Sequence, residues 1–143
     1  GQIRKAAEHY RQMLQLNPGD NQGARDELLV CLLDLGKYDQ AQKLLDEYEY
    51  DKEMALGAYA QALLSFIKHG DTKKARENLQ KAIETNKYVP RYLLNQEETP
   101  PFRTDAYSLG SREEAVICID QLGYNWTFTE GALQWLESVL KSS

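Results

Sequence analysis

The chain has 143 residues, of which 42% are hydrophobic, 10% aromatic and 27% charged. This composition predicts one folded domain with a buried core and excludes a disordered chain. The formal net charge of −5 disfavours binding to nucleic acid or to an anionic membrane surface. The sequence shows neither a run of about 18 apolar residues nor a secretory leader pattern, so we expect a cytoplasmic protein.

Five helices are predicted in the first part of the chain, where apolar residues recur three and four positions apart. We place them at residues 3–16, 22–35, 38–49, 54–69 and 72–86. Gly36 and Gly70 are expected to end two of these helices, because glycine readily takes a left-handed conformation, and Pro18 is expected to end the first.

A short motif recurs along these helices with the length of a helix-turn-helix repeat. Gly36 is followed by Ala41, and Gly70, which lies 34 residues after Gly36, is followed at the same spacing by Ala75. Ala6 marks an earlier copy, 35 residues before Ala41. The sequence therefore predicts three copies of one helix, of which the second and third have an upstream partner helix.

This pattern resembles the tetratricopeptide repeat. The resemblance rests on turn glycines and on small and large apolar residues, namely Leu28, Leu32, Gly36, Ala41 and Leu45 in one copy and Tyr59, Leu63, Phe66, Gly70, Ala75, Leu79 and Ala82 in the next. Arg25 departs from the family pattern, where a large aromatic residue is expected, and Leu29 and Leu63 replace a packing glycine. The resemblance implies an all-α, tetratricopeptide-like solenoid of helical hairpins, with about two and a half repeats.

We expect a single domain over residues 1–143. Its predicted parts are a partial repeat at 1–20, whole repeats at 21–55 and 56–89, and an irregular loop with C-terminal capping helices at 90–143. The partial repeat begins at its second helix, which suggests a fragment of a longer protein. A natural N-terminus with a half-repeat cap is the alternative.

The composition changes after Asn86. A short helix with Pro90 in its first turn is predicted near Tyr88, followed by a loop at 96–105. Ser111 with Glu114 then forms a capping box, which opens a helix that we expect Gly123 to end and that buries Ala115, Cys118, Ile119 and Leu122. Thr129 is expected to cap a last helix that buries Ala132, Leu133, Leu136, Val139 and Leu140.

The C-terminal part carries a second resemblance. Three of its sequence segments resemble the C-terminal part of a group of repeat proteins, namely residues 86–94, 107–115 and 126–136. That group includes bacterial tetratricopeptide proteins often joined to a zinc-binding SEC-C motif, and the suppressor-of-tumorigenicity family of animals. The zinc motif does not occur in this sequence, and the resemblance implies no catalytic residue.

The first helix of each repeat lines the concave face of such a solenoid, which usually binds peptides or helices. By the repeat register this face is predicted to hold Asp26, Val30, Leu33 and Asp34, then Ala60, Leu64, Ile67 and Lys68. Asp26 and Val30 do not match the paired lysines and asparagines with which relatives hold a terminal carboxylate. We therefore predict a protein–protein interaction scaffold that binds a helix or an internal peptide segment.

An alternative prediction is that the chain's own C-terminal segment fills this face, since Tyr88, Tyr92, Phe102 and Tyr107 need burial. The chain would then be a structural domain that positions part of a larger protein. A related set of aromatic residues fits either an interface or the packing that fastens an irregular segment, namely Tyr88, Tyr92, Tyr107, Tyr124, Trp126 and Trp135. Of these two interpretations we favour packing.

No motif for catalysis, cofactor binding or metal binding is found in the sequence. His9 and His69 share no motif, and Cys31 and Cys118 lack neighbours at metal-ligand spacing, which predicts two buried thiols. The remaining hypothesis for an enzyme is one that uses polar residues of the 95–111 loop. We expect no enzyme, no cofactor and no metal site.

Overall fold

The computed structural model describes residues 1–17, 22–100 and 107–142. Their regular elements are all helical: α1 Gln2–Leu16, α2 Gln22–Asp34, α3 Tyr38–Glu47, a 3-10 helix Glu49–Glu53, α4 Ala55–His69, α5 Lys73–Thr85, α6 Val89–Leu93, α7 Arg112–Phe128 and α8 Ala132–Lys141. The all-α class built from helical hairpins is confirmed, and α1 to α5 lie within two residues of their predicted bounds. Pro18 and Phe102 fall outside the described residues.

The chain divides into two compact units, Gly1–Glu49 and Tyr50–Ser143. In the first unit, α2 contacts both α1 and α3. Gly36 ends α2 with a φ of +72°, and the N–H groups of Gly36 and Lys37 donate to the carbonyls of Leu33 and Leu32. Both bonds satisfy carbonyls at the end of the helix, as in a Schellman motif, and they confirm the predicted role of Gly36.

Arg25 occupies the position in the first unit where the repeat pattern expects a large aromatic residue. Its guanidinium lies 4.3 Å from the centre of the Tyr48 ring and donates to Gln22 Oε1 at 2.6 Å. Arg25 is only 9% exposed. Because a planar guanidinium stacks well on an aromatic face, Arg25 and Tyr48 together fill the space of the missing ring.

In the second unit, α4 is the central helix and is buried on most sides by contacts that include α5 and α7. Tyr59 of α4 meets Trp126 edge-on, with ring centres 6.2 Å apart, and Phe66 stacks on Trp135 at 4.5 Å. The Trp135 indole also donates to Asp71 Oδ1 at 3.0 Å. These contacts fasten α7 and α8 to the α4–α5 hairpin, as expected of C-terminal capping helices.

A buried carboxylate joins three segments of the second unit. Glu114, at 3% exposed, accepts hydrogen bonds from the backbone N–H of Ala55 at 2.9 Å, from that of Gly110 at 2.8 Å and from Asn86 Nδ2 at 3.0 Å. The Ser111 hydroxyl accepts from the Glu114 N–H at 3.1 Å, which is one half of the predicted capping box. The other half differs from the prediction, because the Glu114 carboxylate accepts from the N–H of Gly110 and the N–H of Ser111 donates to the Ser108 carbonyl. The Glu114 carboxylate also gives the first N–H of α4 a hydrogen-bond acceptor, which the side chain of the N-cap residue Met54 does not provide.

Tyr59 provides a test of this buried network by pH. Its hydroxyl donates to the Asn86 carbonyl at 2.7 Å, and burial raises the pKa of Tyr59 well above its ordinary value. The folded state therefore holds this proton more tightly than the unfolded state, so the stability that it gives is present below about pH 10 and is lost as the pH rises further. We expect Tyr59→Phe to make the decline in unfolding free energy above pH 10 shallower, as measured by denaturant titrations at several pH values. An unchanged decline would contradict this assignment.

Two predictions at the C-terminus are wrong. Gly123 does not end α7, which continues to Phe128. The turn after Gly123 buries Trp126, and the free energy gained by that burial exceeds the cost of about 1 kcal/mol for a glycine inside a helix. Thr129 does not cap α8: its hydroxyl donates back to the Asn125 carbonyl at 2.6 Å and it ends α7. Gly131, with a φ of +81°, is the N-cap of α8.

Candidate functional site

The residues predicted for a concave face differ widely in exposure. In the first unit Asp34 is exposed, Asp26 and Val30 are half-buried, and Leu33 is buried. In the second unit Lys68 is exposed and Ile67 is half-buried, whereas Ala60 and Leu64 have no exposed surface. Leu33, Ala60 and Leu64 therefore belong to the core, and five of the eight residues have surface that a partner can reach.

A groove of about 490 Å³ opens in the second unit between α6, α7 and α8. We call it the aromatic groove. Among the described residues its lining contains no charged side chain and consists of Tyr92, Leu93, Asn95, Thr99, Ile119, Gly123, Tyr124, Thr127, Phe128 and Leu133. The lining comes from α6, from the turn that follows it, and from the facing sides of α7 and α8. Leu93, Ile119 and Leu133 supply the aliphatic part of the lining.

Tyr124 and Phe128 form the exposed rim of the aromatic groove. They are one helical turn apart on α7, which places both side chains on one face. Their rings stack with centres 4.9 Å apart and planes 26° from parallel. The side chains are nevertheless 76% and 73% exposed. Two large stacked rings at the edge of an uncharged groove are the kind of surface at which proteins associate.

A second groove, also of about 490 Å³, lies among α1, α2 and α3 in the first unit. Its floor is made of leucines, but its rim carries Arg11, Lys43 and Glu47. Arg11 also donates to Gln40 at 2.8 Å, which joins α1 to α3 across this groove. The one aromatic ring in its described lining, that of Tyr48, is half-buried, so this groove lacks an exposed aromatic pair and fits an apolar partner less well than the aromatic groove.

Three cations surround the ring of Tyr88, close to the aromatic groove. The Arg112 guanidinium is 4.3 Å from the ring centre, that of Arg91 is 5.1 Å away, and the Lys87 ammonium is 5.3 Å away. Glu97 accepts from Arg91 at 3.1 Å and also from Arg112. We call these five residues the Tyr88 cluster. The hydrogen bond from Arg112 holds the pKa of Glu97 below its ordinary value.

The turn after α6 explains how Glu97 reaches this position. Asn95 has a φ of +57°, and its N–H and that of Gln96 donate to the carbonyls of Tyr92 and Arg91. This is a Schellman motif with asparagine in the left-handed position. The chain reverses there, so that the Glu97 N–H also approaches the Arg91 carbonyl at 3.3 Å. The carboxylate is thereby returned to the helix that it has just left.

The sequence pattern predicts part of this surface and misses the rest. Tyr124 and Tyr92 belong to the predicted aromatic set, of which Tyr92, Trp126 and Trp135 are core residues, as the packing interpretation expects. Phe128 is missed because the pattern places the end of α7 at Gly123. The spacing of Cys118, Leu122 and Trp126, all buried, carries the helical period past Gly123 and is the signal that could reveal it.

The described residues show two further properties that bear on function. Among the helices in these ranges, none is both long and apolar enough to cross a membrane. Residues 1–17, 22–100 and 107–142 also contain no group of three or more His, Cys, Asp or Glu side chains placed to hold a metal ion. Cys31 and Cys118 are both buried, and burial raises the pKa of the Cys31 thiol.

Comparison with protein families adds support for the repeat. Residues 1–65 match the family described as tetratricopeptide repeat. The comparisons with curated proteins and with solved structures gave no match. The matched segment contains α1, α2, α3 and most of α4, which is the part of the chain where the recurring glycine and alanine positions begin. The first 65 residues are therefore similar to tetratricopeptide repeats, and their helical hairpins agree with that similarity.

Proposed function

We propose that this chain is a protein-interaction module without chemistry of its own, and that it binds apolar side chains of a partner in the aromatic groove. Tetratricopeptide repeats generally serve as protein-interaction modules. The observation that carries the proposal is the stacked, exposed pair of Tyr124 and Phe128 beside a groove whose described lining has no charged side chain.

The free energy of such binding comes from burial of apolar surface. Covering one exposed aromatic side chain contributes about 1.5–3 kcal/mol. The two rings already rest against each other on one helix, so that binding restricts their rotation little further. Because the described lining is uncharged, an apolar side chain that enters the groove removes water from no ionised side chain of that lining. A peptide or helix that presents one or two large apolar side chains fits these properties.

A displayed library of random peptides, selected against the intact chain, tests this function and requires no assumption about which protein the chain binds. We expect the selected peptides to share a large apolar residue and to bind the double variant Tyr124→Ala, Phe128→Ala at least about tenfold more weakly, since buried aromatic anchors dominate interface energies. Tyr50→Ala is the matched control, because Tyr50 is 67% exposed but does not line the groove. Dissociation constants by isothermal titration give the comparison.

Equal loss of affinity in the double variant and in Tyr50→Ala would contradict the proposal. The five accessible residues of the predicted concave face provide a second arm, since Asp26→Arg with Lys68→Glu reverses charge there. If this second variant alone loses the selected peptides, the concave face is the binding surface. All variants are compared by circular dichroism to establish that they are folded.

The alternative function is a structural domain that positions a neighbouring part of a larger protein. It is favoured by the contacts of α7 with α4, since they place the C-terminal segment against a repeat helix. The described aromatic contacts of α7 and α8 with α4 are made to Tyr59 and Phe66, and neither residue belongs to the predicted concave face. A chain that selects no peptide in the library experiment supports this alternative.

We infer a cytoplasmic protein that does not bind nucleic acid, from the net charge of −5 and the buried thiols. We also propose that the C-terminal part is related to that of SEC-C-associated bacterial repeat proteins and the suppressor-of-tumorigenicity family. The support for this relationship is the resemblance of three sequence segments, residues 86–94, 107–115 and 126–136.

A further inference from the structure

We propose that the Tyr88 cluster is a binding site for a carboxylate of an acidic segment in the protein partner, and that Glu97 occupies this site when the partner is absent. The inference deepens the proposed function and rests on it for the partner being a protein. It assigns to the partner an acidic residue close to the apolar residue that enters the aromatic groove.

The first support is the way in which the site already holds a carboxylate. Arg91 donates to one oxygen of Glu97 and Arg112 donates to the other, so the two guanidinium groups bind the two oxygens of one carboxylate. Arginine pairs of this kind favour planar anions such as carboxylate. A carboxylate from another chain can make the same two contacts if Glu97 turns away.

The second support is the balance of charge. Three cations lie around the Tyr88 ring, and Glu97 is the carboxylate that Arg91 and Arg112 share. Within the described part of the chain, Lys87 makes no ion pair. An incoming acidic segment therefore finds more positive charge than Glu97 neutralises, although the protein as a whole is negative.

Access and position complete the argument. The side chains of Arg91, Arg112 and Glu97 are 39%, 42% and 34% exposed, so a partner can reach them from solvent. Tyr92 connects the cluster to the aromatic groove, because its ring lines the groove while its hydroxyl accepts from Arg112 at 3.2 Å. A single peptide can therefore place an apolar side chain in the groove and a carboxylate on the arginines.

The test uses the intact chain and an oligoglutamate peptide, acetylated and amidated at its ends, as the probe. If Glu97 fills the site most of the time, Glu97→Gln should raise the affinity for the probe about tenfold over the unchanged protein. Adding Arg112→Gln to this variant should abolish the gain. Glu137→Gln is the matched control, since it removes one carboxylate from an exposed 2.9 Å pair with Lys141 in the same unit. Titrations at fixed ionic strength give the dissociation constants.

A gain of the same size in Glu137→Gln would overturn the proposal, because net charge alone would explain it. Retention of the gain in the double variant, or tighter binding of inorganic phosphate than of the peptide by Glu97→Gln, would also overturn it. The unchanged protein gives a second readout: saturating probe should return the lowered pKa of Glu97 towards its ordinary value in an NMR titration. The probe has no apolar side chain, so the double variant Tyr124→Ala, Phe128→Ala should bind it with the affinity of the unchanged protein. A failure of the carboxylate site is therefore distinguishable from a failure of the aromatic groove as a binding surface.

Discussion

Replacing Glu114 by alanine should lower the unfolding free energy of the second unit by about 3 kcal/mol or more. The carboxylate accepts from the N–H groups of Ala55 and Gly110 and from the amide of Asn86, and Glu114 is 3% exposed. Removing it leaves these donors without their acceptor in a place that water reaches poorly. The loss is larger than that of an ordinary helix cap, because one side chain serves three segments of the chain.

Denaturant unfolding followed by tryptophan fluorescence measures this effect, since Trp126 and Trp135 both belong to the second unit. Glu113→Ala is the control, because it changes the same charge in the same helical turn. In the part of the chain that the structure describes, no hydrogen bond joins Glu113 to the buried network, so we expect a loss below about 1 kcal/mol. Glu114→Gln should lie between these two variants, because its amide oxygen can still accept from Gly110 and Asn86 while its NH₂ group faces the Ala55 N–H. Equal stability of the Glu113 and Glu114 variants would show that the network contributes little.

Gly57→Ala should destabilise the second unit by about 3 kcal/mol, at the upper end of what overpacking costs. A Cβ on Gly57 would overlap the carbonyl oxygen of Asp51 and lie 2.6 Å from its carbonyl carbon. The obstacle is backbone on both sides, the 3-10 helix and α4, so no side-chain rotation relieves it. The same fluorescence-detected unfolding measures the loss.

Gly123→Ala is the matched control for Gly57, because it also adds one methyl group to the interior of a helix in the second unit. There the new Cβ would meet only Ile119 Cγ2, at 3.4 Å, which is an ordinary contact. We expect it to stabilise the unit by up to about 1 kcal/mol, the helix preference of alanine over glycine. If both variants shift stability in the same direction, the close approach of Asp51 to α4 is not what requires glycine at position 57.

Local chemistry explains why the repeat helices are predictable from the sequence. Their apolar periods and the conformation of Gly36 depend on residues a few positions apart, so they can be predicted from the sequence. The end of α7 cannot be predicted in this way. There a local signal, Gly123, opposes a tertiary one, the burial of Trp126 among Tyr59 and Trp135, and burial prevails.

The candidate site is predictable only in part, because it depends on contacts between distant positions. The sequence shows no basic run, yet the fold brings Arg112 to the same ring as Arg91, 21 positions earlier. Tyr124 is recognisable as one of several aromatics, but nothing in its neighbourhood distinguishes it from the buried Trp126 two residues later. Which aromatic faces solvent is decided by packing of α6, α7 and α8.

Arg25 bears on how further repeats of this type are recognised. A search pattern that demands a large aromatic at this position rejects such a repeat, although the guanidinium stacked 4.3 Å from Tyr48 fills the position. The substitution is legible as a pair, an arginine with a tyrosine 23 positions downstream, at the end of the second helix of the same hairpin. A search pattern that requires both residues as a pair can find such repeats, whereas a pattern that tests each position separately misses them.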